Sequence, residues 1–213
     1  MKEADISCET KGTATIHGGY SIIELLIAST MLLIVLSIVS TLISQSLASG
    51  QRESRKTDAL TAAHAALNVM SREIANSGFG LVTNGIVSSD SNDTRLHFRS
   101  NVENNDYETR QDGEDVTYFH DSSTNSVLRY DPNDTPQVSA VINDVSMVRF
   151  QYFNYAGASS AATQVATPTN DTGRVRITVT VMLEDIAGAP RGQTVEFSSD
   201  VTLRNSEYML HQY

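Results

Sequence analysis

Charge is missing from one long stretch of this 213-residue chain: from Leu25 to Gln51 there is no Asp, Glu, Lys, Arg or His. Most of that stretch is Leu, Ile, Val, Met and Ala, whereas the remainder is polar and rich in Ser, Thr, Asn and Asp. So uneven a distribution argues against a uniform soluble globule and for a membrane segment joined to a soluble head. Lysine is missing from residues 77–213, which carry nine Arg against eighteen Asp plus Glu, a difference of −9 within a formal net charge of −10. Such a surface repels nucleic-acid phosphates, so nucleic acid is excluded as a partner. Anionic lipid repels it too, which places this acidic part away from the bilayer. Cysteine is reduced to Cys8, and one cysteine excludes an intramolecular disulfide.

Patterns that carry chemistry are equally scarce. His17, His64, His97, His120 and His211 form no HExxH or other ligand spacing, and neither G-x-S-x-G nor a phosphate-binding Gly loop occurs. Three acidic loops, at Asp90, Asn92 and Asp93, at Asp112, Glu114 and Asp115, and at Asp131 and Asp134, lack the EF-hand spacing and read as solvated turns. Asn-Asp-Thr at Asn92, Asn133 and Asn170 has the form of a glycosylation sequon, but Asx-turn chemistry accounts for it. The expectation is a protein that is not an enzyme and needs no cofactor or metal.

What is present starts with a polar leader, residues 1–19, that lacks an apolar core and ends in Gly18-Gly19. The apolar run begins after that pair, the reverse of the order in a secretory signal. As a helix, Leu25–Gln51 covers about 40 Å, enough for a hydrocarbon core of about 30 Å. The helix is expected to continue beyond it. Arg52 to Asp58 forms a charged collar, and neither Gly nor Pro interrupts Gln51 to Ser77. Leu60, Ala63, Leu67, Met70 and Ile74 recur at helical spacing, while Arg72 and Glu73 point elsewhere, and Gly78 supplies a stop. One helix is therefore predicted over residues 20–76, apolar all round in its first half and amphipathic in its second.

Strands are predicted after it. Leu96 and Phe98 alternate with polar residues, and Val116–His120 and Val127–Tyr130 flank the turn-rich DSSTNS as a hairpin. Ser146–Asn154 alternates, and Val175, Ile177, Val179, Val181 and Leu183 give the clearest strand. A turn over Asp185–Gln193 precedes Val195, Phe197, Val201 and Leu203. Residues 155–173 read as a long small-residue loop. This alternation implies an antiparallel sheet with one face buried under the amphipathic half of the helix.

The segment Gly19-Tyr20-Ser21-Ile22-Ile23-Glu24-Leu25-Leu26-Ile27-Ala28 resembles the N-terminal motif of type IV prepilins and type II secretion pseudopilins. LNVMSREIANSGFGL at residues 67–81, VSMVRFQYFN and the closing DVTLRNSEY are similar to PilW-type minor pilins and J-type minor pseudopilins. The resemblance implies an α+β, pilin-like fold, a long N-terminal helix packed against an antiparallel sheet head. It implies a leader at 1–19, a transmembrane and filament-core helix at 20–50, and an exported head at 51–213, with the helix continuing over 51–76 and sheet over 77–213. Gly19 is then the cleavage site, Tyr20 the N-methylated new terminus and Glu24 an assembly residue. The implied partners are a prepilin peptidase, other pilins or pseudopilins, an inner-membrane assembly platform and membrane lipid. Function follows as a minor pilin priming a type IV pilus, with a secretion pseudopilin or a non-polymerising anchored adhesion module as the other readings. Its place is the inner membrane, with the head exported, and then a surface pilus or periplasmic pseudopilus. Tyr20 stands where Phe is usual, and His17-Gly18 where a cation commonly precedes the cleavage Gly. The leader is acidic, and Arg52, Arg55 and Lys56 lie beyond the span, so orientation comes from the motif and not from the positive-inside rule.

Overall fold

The computed structural model describes residues 19–103, 108–156, 161–183 and 191–212. The leader before Gly19, with Cys8, and most of the turn predicted over Asp185–Gln193 lie outside the described residues. Two compact units divide the chain, Met1–Leu47 and Ala48–Tyr213.

Helix α1 runs Ile22–Ala75, 54 residues, within two residues of the predicted bounds. In the first unit its apolar side chains face outward: Leu25 is 67% exposed, and none of the apolar window is buried. By length and composition α1 is able to cross a membrane. Four of its hydroxyls need no water. Ser29 Oγ donates to Leu26 O at 3.0 Å, Thr41 Oγ1 to Ser37 O at 2.8 Å and Ser44 Oγ to Ser40 O at 2.9 Å. Hydroxyls satisfied by the preceding turn are compatible with hydrocarbon.

In the second unit the same helix is one-sided. Ala63, Ala66, Leu67, Met70 and Ile74 are buried, as their spacing predicts. Leu60 departs from that expectation at 40% exposure, and Ala66 takes part instead. The helix stops where the backbone must cross itself. Gly78 (φ +78°) and Gly85 (φ +77°) adopt left-handed conformations, and a Cβ on Gly85 would lie 2.2 Å from the Gly78 nitrogen. Through this crossing Gly78 N donates to Arg99 O and Arg99 N to Gly85 O, fixing the helix end to the first strand.

The head contains two four-stranded antiparallel sheets, where the sequence suggested one. β1 (Arg95–Arg99), β2 (Asp115–Asp121), β3 (Ser126–Tyr130) and β4 (Val138–Ile142) form the first in sequential order. β5 (Val145–Tyr155), β6 (Ala162–Val165), β7 (Thr172–Met182) and β8 (Thr194–Thr202) form the second, in the order β6-β5-β7-β8. A short helix α2, Glu207–Leu210, follows, capped by Ser206. The hairpin around DSSTNS is present, with Asp121 paired to Ser126. β4 and β6 were not foreseen, and β6 with the start of β7 lies inside the stretch expected as loop. Tyr152 Oη donates to Asn92 O at 2.7 Å and Phe150 N to Asp93 O, joining the sheets beside β1. One core is shared by the helix and both sheets, including Phe98, Val116, Val127, Phe150, Ile177 and Val201.

A fragment beginning at Ser49 is expected to be soluble and to show mixed helix and strand by circular dichroism. Leu67, buried in the core that the helix and the sheets share, is the place to break it. Leu67→Asp is expected to destabilise the fragment by about 3–5 kcal/mol, since an unpaired buried charge has no compensation. Denaturant unfolding measures this, and an unchanged midpoint would mean the stripe does not hold the head.

Candidate functional site

The segment with the prepilin-like pattern lies at the start of α1. Gly19 and Tyr20 precede the helix and are exposed, Tyr20 at 85%. Ser21 is the last residue before it, and its carbonyl accepts from both Glu24 N (3.0 Å) and Leu25 N (3.1 Å). This double acceptance starts the helix, because the first turn otherwise leaves its N–H groups unused. Glu24 is thereby fixed in the first turn, where the helix macrodipole favours a carboxylate. Its neighbours Ile22, Ile23, Leu25 and Leu26 are all exposed and apolar. Among the described residues Glu24 has no ion-pair partner, and no cationic side chain follows it until Arg52.

Gly19 is not glycine for conformational reasons. Its φ lies outside the left-handed region, and an added Cβ would meet nothing within 4 Å. A requirement for Gly at this position must therefore come from something that binds the segment. The structure brings Gly19, Tyr20 and Glu24 together only by chain proximity, at one helix start.

The acidic loops of the head have other partners. Arg129, on β3, gathers Glu73 Oε2, Asp131 Oδ2 and Asp134 Oδ2, each at 3.2 Å. Asp131 and Glu114 are fully buried, which corrects the reading of these loops as solvated. Asp131 also accepts from Gly113 N at 2.7 Å, and Glu114 from Glu103 N and Gln111 N. His97 lies between Asp90 (3.0 Å) and Asp115 (2.5 Å), and these carboxylates also hold Arg95 and Arg99. Asn92 does form the expected Asx turn, its Oδ1 accepting from Thr94 N at 2.9 Å. Among the described residues no group of His, Cys, Asp and Glu has a metal-binding arrangement. The ion-pair cluster on Arg129 was not legible in the sequence, because Glu73 and Arg129 come from distant elements with no spacing rule between them.

No family model matches the chain, and no curated protein or solved structure is detectably similar to it.

Glu73 also accepts from Tyr118 Oη at 2.6 Å. Burial, reinforced by the Glu73 charge, holds the Tyr118 phenol well above its ordinary value of 10.0. Burial, then Asp93, does the same for Tyr152. An unfolded chain ionises both phenols near their ordinary value, whereas the folded head keeps them protonated. Their contribution to stability is thus fully present below a pH of about 10 and lost as pH rises toward the raised values. The unfolding free energy of the Ser49 fragment is expected to fall above that pH. Tyr118→Phe and Tyr152→Phe should each flatten the decline, at about 1 kcal/mol near neutrality for a lost hydrogen bond. Denaturant titrations across the alkaline range measure both effects.

Proposed function

We propose that this chain is a pilin-type subunit: cleaved after Gly19, anchored through α1 and built by that helix into a filament, with the head displayed. One observation carries the reading. A glycine with no conformational need to be glycine stands directly before an aromatic residue and the start of a charge-free exposed helix, with one carboxylate, Glu24, in its first turn. Sheets packed on the second half of the same helix fit the head that such subunits carry. The minor-pilin-like segments favour a tip position that primes assembly. A secretion pseudopilin uses the same architecture, and proteins that co-purify with the full-length subunit separate the two.

Cleavage matters to the mechanism because it makes a cation. Glu24 lies among apolar side chains, and the chain from Tyr20 to Gln51 supplies no cationic side chain. The α-amino group of Tyr20 exists only after the leader is removed. Pairing it with Glu24 of a neighbouring subunit links processing to assembly and sets axial register, as a buried polar pair can.

Intact mass from the native host is expected to show loss of residues 1–19 and gain of one methyl group. A mature chain that retains Cys8 overturns the assignment. Gly19→Leu should block cleavage while leaving the head folded, because the site has room for the side chain. Glu24→Ala and Glu24→Gln are expected to insert, to be cleaved and to keep a folded head, yet to be nearly lost from sheared filament fractions. Recovery of both at the wild-type ratio to membrane level would favour an anchor that never polymerises.

A further inference from the structure

A cleft of about 360 Å³ opens between α1 and the start of β8, lined by Arg52, Glu53, Lys56, Leu183, Gln193, Thr194 and Val195. Arg52 is half-buried, and its Nη2 donates to Gln193 Oε1 at 3.0 Å, so the guanidinium is held at the cleft. Lys56 lies one turn further along the same side. We propose that this cleft takes the phosphate of an anionic phospholipid headgroup, a role that rests on the membrane-anchored reading above.

Among the described residues neither of these two cations meets a carboxylate, and Arg149 and Arg204, which donate to Met147 Sδ and Asn76 Oδ1, are alike in this. Elsewhere in the head Arg95, Arg99, Arg110, Arg129 and Arg176 each meet a carboxylate within 3.2 Å. Arg174 lies over the Phe153 ring at 4.2 Å. Arg52 reaches only a neutral amide, and Lys56, the one lysine beyond Lys11, has no partner among the described residues. Glu53 is the acid lining the same cleft, and Arg55 faces Asp58 and Asp144 in the adjoining one. Arg191 is exposed two residues before Gln193. The cleft's own lining thus holds two cations, Arg52 and Lys56, against one acid, Glu53, and the chain continues past Leu183 into Glu184 and Asp185.

Position selects the ligand. The charge-free run ends at Gln51, and Arg52 is the next residue. That run is about 40 Å long as a helix, against about 40–45 Å for a bilayer with its headgroups. A span of that length brings Arg52 and Lys56 to the phosphate layer, while the −9 of residues 77–213 keeps the rest of the head off an anionic surface. An acidic head of a second copy offers the same charge, but nothing fixes it at that depth.

The test uses the full-length chain reconstituted in nanodiscs of equal phosphatidylglycerol and phosphatidylcholine, with retained lipid counted by native mass spectrometry. Wild type is expected to retain phosphatidylglycerol in preference. Arg52→Gln and Lys56→Gln should each lower the preference roughly fivefold, the weight of one cation near an anionic surface. Arg149→Gln, on exposed β5 backbone far along the chain, should leave it unchanged. Insertion without any preference, or a preference insensitive to both substitutions, overturns the lipid site alone. Failure of the chain to insert overturns the anchored reading and the site with it. Inorganic phosphate retained in phosphatidylcholine-only discs assigns a free-anion site instead. A lipid-independent dimer abolished by the Arg52→Gln, Lys56→Gln pair assigns the collar to a neighbouring acidic head. Either result overturns the proposal.

Discussion

The stripe Ala63, Ala66, Leu67, Met70 and Ile74 is the surface on which the head is built. Each sheet has only four strands and one apolar face, so neither forms a sealed core alone. Burying a Leu, Met or Ile contributes about 1.5–3 kcal/mol. Three such side chains from one helix, placed against Phe98, Val116, Val127, Ile177 and Val201, join the two sheets into one interior. Two alanines in the stripe let the helix approach closely. Ser71 meets Ser199 at 3.1 Å and the His64 ring lies 5.9 Å from Phe197, so the β8 side of the helix is in direct contact. On the other side Glu73 reaches Tyr118 and Arg129 of the first sheet. The apolar contacts supply the stability; the Glu73 pair mainly fixes the rotation of the helix, since desolvation offsets much of an ion pair's attraction.

Local rules made the helix and the strongest strands legible. Absence of Gly and Pro from Gln51 to Ser77, with apolar residues at steps of three and four, is information carried by consecutive residues. So is the alternation of Val175, Ile177, Val179 and Val181. The division into two sheets is not local. It depends on which strands share an edge, and β4 and β5 are separated only by Asn143 and Asp144 (φ +58°) yet belong to different sheets. β4 is mostly exposed, so its Val-Ser-Ala-Val-Ile reads as neither a clean alternation nor a buried run. β6 is four residues at a sheet edge, held by backbone pairing to Tyr152–Tyr155 and not by an apolar pattern. Leu60 fitted the helical period but lies beyond the sheet cover, a limit that periodicity does not encode. For the candidate site the balance differs: Gly19, Tyr20 and Glu24 rest on a sequence motif alone, and the structure adds that Gly19 is free of steric need.

Charge is sorted along the chain as sharply as hydropathy. In the head Arg95, Arg99, Arg110, Arg129 and Arg176 meet carboxylates, and Arg129 holds three within 3.2 Å. Those pairs satisfy buried acids such as Asp131 and leave a surface that is negative overall. Self-repulsion between such surfaces keeps exposed heads from associating without direction. Any ordered packing of copies must then be driven by another part of the chain. Among the described residues the exposed apolar half of α1 is the one long uncharged surface available for that, and hydrocarbon is its other acceptable environment.

At the edge of that uncharged surface Glu24 is the one charged side chain before Arg52, and it distinguishes one axial position from another. Packing between apolar helices is nearly indifferent to small shifts along their axes, because Leu, Ile and Val contacts are similar at each turn. A carboxylate is not. An acidic side chain costs about 2.5–3.5 kcal/mol at a bilayer centre and less toward its edge, where Glu24 stands just before the charge-free run, and a helix N-terminus returns about 0.3–1 kcal/mol of this. The deficit is largest where no cation is close, and it falls when a positive charge lies within a few ångströms in a low-dielectric setting. On the proposed reading only a processed subunit offers that charge, at one height, on its own first residue. An unprocessed chain carries the same apolar helix and the same Glu24 but no such amine, so it lacks the feature that selects a register. Discrimination between processed and unprocessed subunits then needs no separate recognition surface: the deficit at Glu24 is itself the selection.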